Sequence, residues 1–188
     1  MEYHHLLLFI KELERLKNNT RTAWTSTGRQ ESIAEHSWRL AMFCMALEPH
    51  VQDIDMSRVL RMSLIHDLGE AYEGDVSATI AEDPALKLHK EEDALRRLIA
   101  PLPESLQQTV MDLWREYTEG NTREAKLVKA LDKIETIVQH NQGDNPPDFD
   151  YSFNLGYGKP LAAFDPVLQA IRDIVDGETV VHMNRNRT

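Results

Sequence analysis

The sequence predicts an all-α fold in a single domain. Three observations carry this. Apolar residues recur at three- and four-residue spacing along most of the chain, and no period-two alternation is long enough to read as a strand. A length of 188 residues suits one domain and suffices for a buried core without disulfide or metal staples. No internal repeat breaks this picture.

Taken in order, Tyr3–Leu16 places Leu6, Phe9, Ile10, Leu13 and Leu16 on one stripe and reads as the first helix. The polar stretch Lys17–Gln30 interrupts it with Asn18, Asn19, Gly28 and several threonines. Ser32 followed by Glu35 is a capping-box pattern, opening a helix to about Leu47 with Ile33, Leu40, Phe43, Cys44 and Leu47 inward. It stops before Pro49. A third helix from about Ser57 carries Val59, Leu60, Met62, Leu64, Ile65 and Leu68 on most faces, which predicts burial at the centre of the fold. It runs into Gly69 and the acidic loop Glu70–Asp75. Pro84 suits the first turn of a helix reaching Leu98, and a turn at Pro101–Pro103 leads to another from about Glu104 to Tyr117. Asn121 with Glu124 matches a second capping box, for a helix over about Arg123–His140. The segment Gln142–Lys159 combines Gly, Asn and Pro–Pro with Phe149, Tyr151, Phe153 and Tyr157, and is expected to be an ordered loop anchored by its aromatics. A last helix over about Pro166–Val175 and a mobile Arg/Asn tail complete the chain.

Composition narrows the function. Hydrophobic residues at 41% and charged residues at 28% are ordinary for a folded soluble domain and exclude disorder as the main state. The net charge of −10 repels phosphate backbones and anionic lipid, so neither a nucleic-acid polymer nor a membrane is the expected partner. A small anionic substrate requires a local cluster of cations or a metal. The single cysteine, Cys44, excludes an intramolecular disulfide and fits a reducing compartment. The apolar run Leu6–Ile10 is too short for a signal peptide or a membrane span, so the expected location is cytoplasmic.

Four residues carry candidate chemistry. His66 and Asp67 follow the apolar stretch Met62–Ile65, where burial without a partner is costly. Helix neighbours point about 100° apart, so both reach one ion only near a helix end, and Gly69 leaves room for that approach. His36 shares a face with Leu40, Phe43 and Leu47, and alone it is more simply a hydrogen-bonded core histidine. Asp132 lies in a helix rich in Leu127, Val128, Leu131, Ile134 and Ile137, where a lone Asp is ordinarily solvated. Together, two imidazoles and two carboxylates on mostly apolar helices are what a helical core needs to hold a divalent cation. Nitrogen and oxygen donors without thiolate suit Mn²⁺, Co²⁺, Fe²⁺ or Mg²⁺, with Zn²⁺ also compatible. Glu70, four residues after His66, can project from the same helix face and orient or deprotonate a water, and Asp75 stands at a Gly74 turn close by. Arg21 and Trp24 are able to clamp a phosphate and pack on a sugar or base, although unaided both read as surface residues. Glu73 and Glu82 are read as solvated.

The order His36, His66-Asp67, Asp132 on an all-helical chain resembles the HD superfamily of metal-dependent phosphohydrolases, and within it the short 5′-nucleotidases and 5′-deoxynucleotidases. The resemblance rests on RTAW (21–24), ESIAEHSWRLA (31–41), IHDLGEAYEGDV (65–76) and LWREYTEGNTREAKLVKALDKIE (113–135), and covers roughly residues 5–140 of the single domain 1–188. It implies an HD-type helical domain with a metal site in its core, the ligands falling on His36, His66, Asp67 and Asp132. It implies an acid/base role at Glu70, phosphate orientation at Arg21, and substrate contacts at Trp24, Asp75 and Ser77. Asp75 would also lie near the attacking water. In some relatives a second ion occupies the positions of Glu70 and Asp75. The family is typically a homodimer. The stretch NPPDFDYSFNLGYG lies outside what the resemblance transfers.

The function so implied is hydrolysis of a nucleoside or deoxynucleoside 5′-monophosphate. Two alternatives stand against it. A di-iron oxygenase on the same scaffold needs further histidines between the HD pair and the last aspartate, and only His89 lies there. A metal-binding regulatory module without turnover has no evident use for Glu70, Asp75 and Arg21 together.

Overall fold

The computed structural model describes residues 3–75 and 83–185. The N-terminal stripe folds as two helices, α1 (Tyr3–Glu12) and α2 (Arg15–Asn18), rather than one. Backbone hydrogen bonds tighten to three-residue spacing at Glu14 and Leu16, and that turn swings Leu16 into the core while Ile10 stays exposed. The polar stretch after it is also more ordered than expected. Thr20–Trp24 (β1) pairs antiparallel with Gln30–Ser32 (β2), and Arg21 and Ala23 are the inward residues of β1. The alternation was invisible to hydropathy because one of its two buried side chains is an arginine.

Ser32 and Glu35 do form the capping box, starting α3 (Ile33–Leu47). Asp55 caps α4 (Met56–Ile65) by accepting from the Arg58 N–H at 3.1 Å. A single tight turn, Leu68–Glu70, follows. Helices α5 (Pro84–Ile99) and α6 (Glu104–Glu119) come next, and Gly120 closes α6 in the left-handed conformation. At the start of α7 (Arg123–Gln142) the cap is Thr122, not Asn121: its hydroxyl accepts from the Ala125 N–H. Glu124 instead accepts from the Asp55 N–H at 2.9 Å, tying the start of α7 to the start of α4. The expected loop contains two short helices, α8 (Ser152–Gly156) and α9 (Lys159–Ala162), and Tyr151 is indeed buried. The last helix, α10 (Pro166–Arg185), runs ten residues past the expected end at Val175. Thr179 holds that extension, donating to Asn141 Oδ1 at 3.0 Å from a fully buried position.

Leu40, Met62, Leu131, Ile134, Ile137 and Leu168 form one core where α3, α4, α7 and α10 meet. Ile33, Leu68, Leu95, Leu98 and Trp114 form a second, against α5 and α6. The central helix is α7, not α4 as the sequence suggested, for Leu64 of α4 is 52% exposed. Each fully buried leucine stabilises by roughly 1.5–3 kcal/mol relative to exposure. A handful of them therefore offsets buried charges that cost several kcal/mol each. This is the condition for the polar cluster on α7.

Candidate metal centre

His36, one turn into α3, is fully buried. Its Nδ1 lies 2.5 Å from Glu135 Oε2, and its Nε2 faces Asp132 Oδ1 at 3.2 Å and Asp67 Oδ2 at 3.8 Å. His66 stands at the C-cap of α4 and donates from Nδ1 to the Ser63 carbonyl at 2.9 Å. Its Nε2 lies 3.1 Å from Asp67 Oδ2. Asp67 has left helical geometry, as the helix-end argument required. Ligand atoms of His36, His66 and Asp67 all lie within 4.8 Å of one another, and Asp132 joins them through His36. The four residues expected as ligands are brought together.

Their fit to a dication can be tested on the donors themselves. The Nε2 atoms of His36 and His66 are buried and have no hydrogen-bond partner. Both rings have committed Nδ1 to an acceptor, which leaves Nε2 as the free lone pair. Burial and the Arg21 charge oppose protonation of His36, yet Glu135 and Asp132 outweigh them and raise its pKa to about 10. Burial alone would raise the Asp67 carboxyl, but His66 and His36 pull it down to about 2. The cluster therefore demands positive charge, and a divalent cation on the two lone pairs and two carboxylates meets that demand.

Several participants were missed by the sequence reasoning. Glu135 holds His36, and it stands three residues after Asp132 on the same helix face, a spacing that was legible. Asp132 Oδ2 accepts from Tyr117 Oη at 2.7 Å and from Lys133 Nζ at 2.8 Å. Burial and the Asp132 charge keep the Tyr117 hydroxyl protonated well past its usual range. Burial opposes the Lys133 charge, but Asp132 more than restores it. Nothing local in the sequence points to Tyr117.

Glu70 reaches the site by another route than expected. The α4 helix has already ended, and the Leu68–Glu70 turn presents the carboxyl instead. A Cβ at Gly69 would stand 2.8 Å from the Glu91 carbonyl, so the glycine serves close packing of that turn on α5 rather than approach of an ion. Glu70 Oε2 is buried and unpartnered. Burial first, then the Asp67 and Asp75 charges, hold its pKa well above the usual carboxylate range. Asp75 follows Gly74, whose φ of +80° makes the turn, and faces Arg21 Nε at 3.8 Å.

Arg21 is not a surface residue. It is 8% exposed, pairs with Glu31 at 3.0 Å, donates to Thr136 Oγ1 at 3.1 Å and lies 4.0 Å from Glu135. Inward strand geometry and the neighbouring acids Glu31, Asp75 and Glu135 explain the burial. Trp24 is half-buried, edge-on to Phe149 at 6.2 Å. Ser77 lies outside the described residues. His89 is on an exposed face of α5 beside Asp93 at 3.4 Å, away from the cluster, which removes the histidine that a di-iron site required.

A cavity of about 620 Å³ opens onto the centre, a size suited to a small-molecule ligand. Arg21, His66, Asp67, Glu70, Asp75 and Asp132 line one part of it, and Trp24, Phe149, Phe153 and Tyr157 another. Among the described residues, no helix is long and apolar enough to cross a membrane.

Comparison with known proteins agrees with the geometry. Residues 13–172 match the family model described as HD domain, well past the residue 140 that the motifs reach. The chain is 34% identical over 140 residues to 5′-deoxynucleotidase HDDC2 of Bos taurus, covering 73% of this chain and 67% of that one. It is 28% identical over 181 residues to 5′-deoxynucleotidase YGK1 of Saccharomyces cerevisiae, covering 93% and 78%. A crystal structure described as a predicted metal-dependent phosphohydrolase from Magnetospirillum magnetotacticum MS-1 superposes with a TM-score of 0.80 at 27% identity, covering 95% of this chain and 92% of that one.

Proposed function

The chain belongs to the HD domain family, and from that premise we propose that it is a metal-dependent phosphohydrolase releasing phosphate from deoxynucleoside and nucleoside 5′-monophosphates. The observation that carries the proposal is the pair of unpartnered Nε2 atoms between two carboxylates, beside a cavity that also holds Arg21 and Glu70. His36, His66, Asp67 and Asp132 would hold the ion, and Mn²⁺, Co²⁺, Fe²⁺ or Mg²⁺ suits this nitrogen and oxygen donor set, with Zn²⁺ also compatible. A bound divalent cation supplies Lewis acidity toward a phosphoryl oxygen and lowers the pKa of water.

The protein's own groups do the rest. Arg21, held by Glu31 and Thr136, presents its guanidinium to the cavity and balances charge on the phosphoryl oxygens. Glu70 takes the proton of the attacking water and returns it to the leaving 5′-oxygen, so that water and monoester become nucleoside and phosphate. Its buried, unpartnered Oε2 supports that role, although the same atom also suits a second ion shared with Asp75. Asp75 orients water or a sugar hydroxyl, Trp24 packs against the sugar, and Ser77 is a further substrate contact. We place the enzyme in the cytoplasm as a homodimer. Phosphate release from a panel of monophosphates with added Mn²⁺ or Co²⁺ tests the activity. Metal bound without turnover on any of them would favour the regulatory module.

A further inference from the structure

The aromatic part of the cavity has its own construction. Trp24, Phe149, Phe153 and Tyr157 are each half-buried and line it. Phe149 stands edge-on to Trp24, and Phe153 lies against Tyr157 with centroids 4.8 Å apart at 32°. The segment carrying three of these rings is fastened from below by Arg172 of α10, whose side chain is fully buried. Its Nη1 donates to the Tyr157 carbonyl at 2.6 Å and its Nη2 to the Asn154 carbonyl at 2.7 Å, while Nε pairs with Asp176 at 2.7 Å. Asn154, also fully buried, accepts from His140 Nδ1 at 2.8 Å. A buried guanidinium is costly unless it is paired and hydrogen-bonded, and here its bonds fix the backbone at Asn154 and Tyr157, beside the Phe153 and Tyr157 rings.

The polar groups beneath the rings are therefore engaged with one another. Asp150 Oδ1 accepts from the Ser152 N–H and hydroxyl, and Asp148 is exposed. This part of the cavity presents ring faces and edges to a ligand, with Lys133, His140, Asp148 and Asp150 among the polar side chains that also line the cavity. Any nucleobase has a π-face, so stacking binds bases without reading their edges.

We propose that Phe149, Phe153 and Tyr157 form a subsite that takes the nucleobase of the substrate by its π-face, on a segment fastened by Arg172, with Trp24 beside it on the sugar side. The subsite rests on the nucleotidase reading and assigns base recognition to the segment between α7 and α10. Base identity should then matter little and the presence of a base should matter much.

The test compares dAMP, dGMP, dCMP and dTMP with 2-deoxyribose 5-phosphate, which lacks a base, in the metal-loaded enzyme. The four nucleotides should agree in kcat/KM within about tenfold, and the sugar phosphate should be roughly 5- to 100-fold poorer, the worth of one stacked base. Phe149→Ala and Phe153→Ala should each shrink that ratio, chiefly through KM. Phe164→Ala, an exposed aromatic just after α9, should leave it unchanged. Arg172→Lys, which keeps the charge but loses the forked donation, should raise KM more than it lowers kcat. Equal turnover of sugar phosphate and nucleotides, a ratio untouched by both Phe changes, or more than about hundredfold preference for one base would overturn the proposal. If the wild type hydrolyses no monophosphate, the nucleotidase reading fails, and a tryptophan-fluorescence titration with deoxyadenosine decides the subsite by itself. Quenching that disappears in Trp24→Phe and weakens in Phe149→Ala supports it; no quenching refutes it.

Discussion

His36 Nδ1 and Glu135 Oε2 stand 2.5 Å apart in the interior of the domain, linking α3 to α7 across the site. The bond fixes the ring so that its Nε2 faces Asp132 and Asp67. At His66 the Ser63 carbonyl does the same work with a neutral acceptor. A carboxylate partner raises the basicity of the ligand ring, and such partners are typically worth 10–100-fold in metal affinity. Glu135→Gln should accordingly weaken Co²⁺ or Mn²⁺ binding by about that factor in equilibrium dialysis. Unchanged affinity would show that Glu135 only fills space.

Arg21→Ala should impair both catalysis and folding. Removing the guanidinium leaves Glu31 and Glu135 buried without their shared cation, a loss of about 3–5 kcal/mol for a broken buried pair. In a chain of this size that lowers the melting temperature by roughly 6–20 °C. Calorimetry showing a shift under 2 °C would mean that the acids are compensated by other means.

Glu70→Gln separates chemistry from stability. Its carboxyl is driven toward the neutral form by burial and by the Asp67 and Asp75 charges, so an amide that never ionises should melt at or above the wild-type temperature. Turnover should nevertheless fall by roughly 10²–10⁴-fold. Metal content decides between the two roles: retention indicates a proton carrier, and loss of an equivalent indicates a ligand to a second ion.

The Glu35 cap gives a prediction in pH. The hydrogen bonds from Arg29, opposed by burial and joined by those from Ser32, lower its pKa to about 2 from an ordinary 4.5. A depressed carboxylate stabilises the fold above its unfolded pKa, and that contribution is lost as pH falls through the folded value. Glu35→Ala should cost about 1 kcal/mol at pH 7, as for loss of a helix cap. The melting gap to wild type should narrow progressively below about pH 4.5. A gap independent of pH would assign the effect to packing.

The sequence was most legible where one local pattern decides the outcome. Ser32 and Glu35 announced α3 because a capping box is a contact between near neighbours. The four candidate ligands were legible for a different reason: His and Asp on apolar helices are costly to bury without partners, and one shared ion would compensate all four. What escaped depends on long-range partners. Arg21 looked like a surface residue because its burial rests on Glu135, which is distant in sequence. Tyr117 is assigned by a hydrogen bond to Asp132 that no spacing encodes. The central place of α7 was hidden by Asp132, Lys133 and Glu135, whose polarity mimics a solvated face.

An ion held by His36, His66, Asp67 and Asp132 would make this chain a phosphohydrolase. The most direct measurement is phosphate release from dAMP by protein stripped with a chelator and then reconstituted with Co²⁺ or Mn²⁺, alongside Asp67→Asn treated identically. Stripped protein should be inactive, reconstituted wild type active, and Asp67→Asn inactive with its metal lost or weakened. Equal activity of the stripped and reconstituted enzyme, or full activity in Asp67→Asn, would show that hydrolysis does not depend on an ion at these four residues.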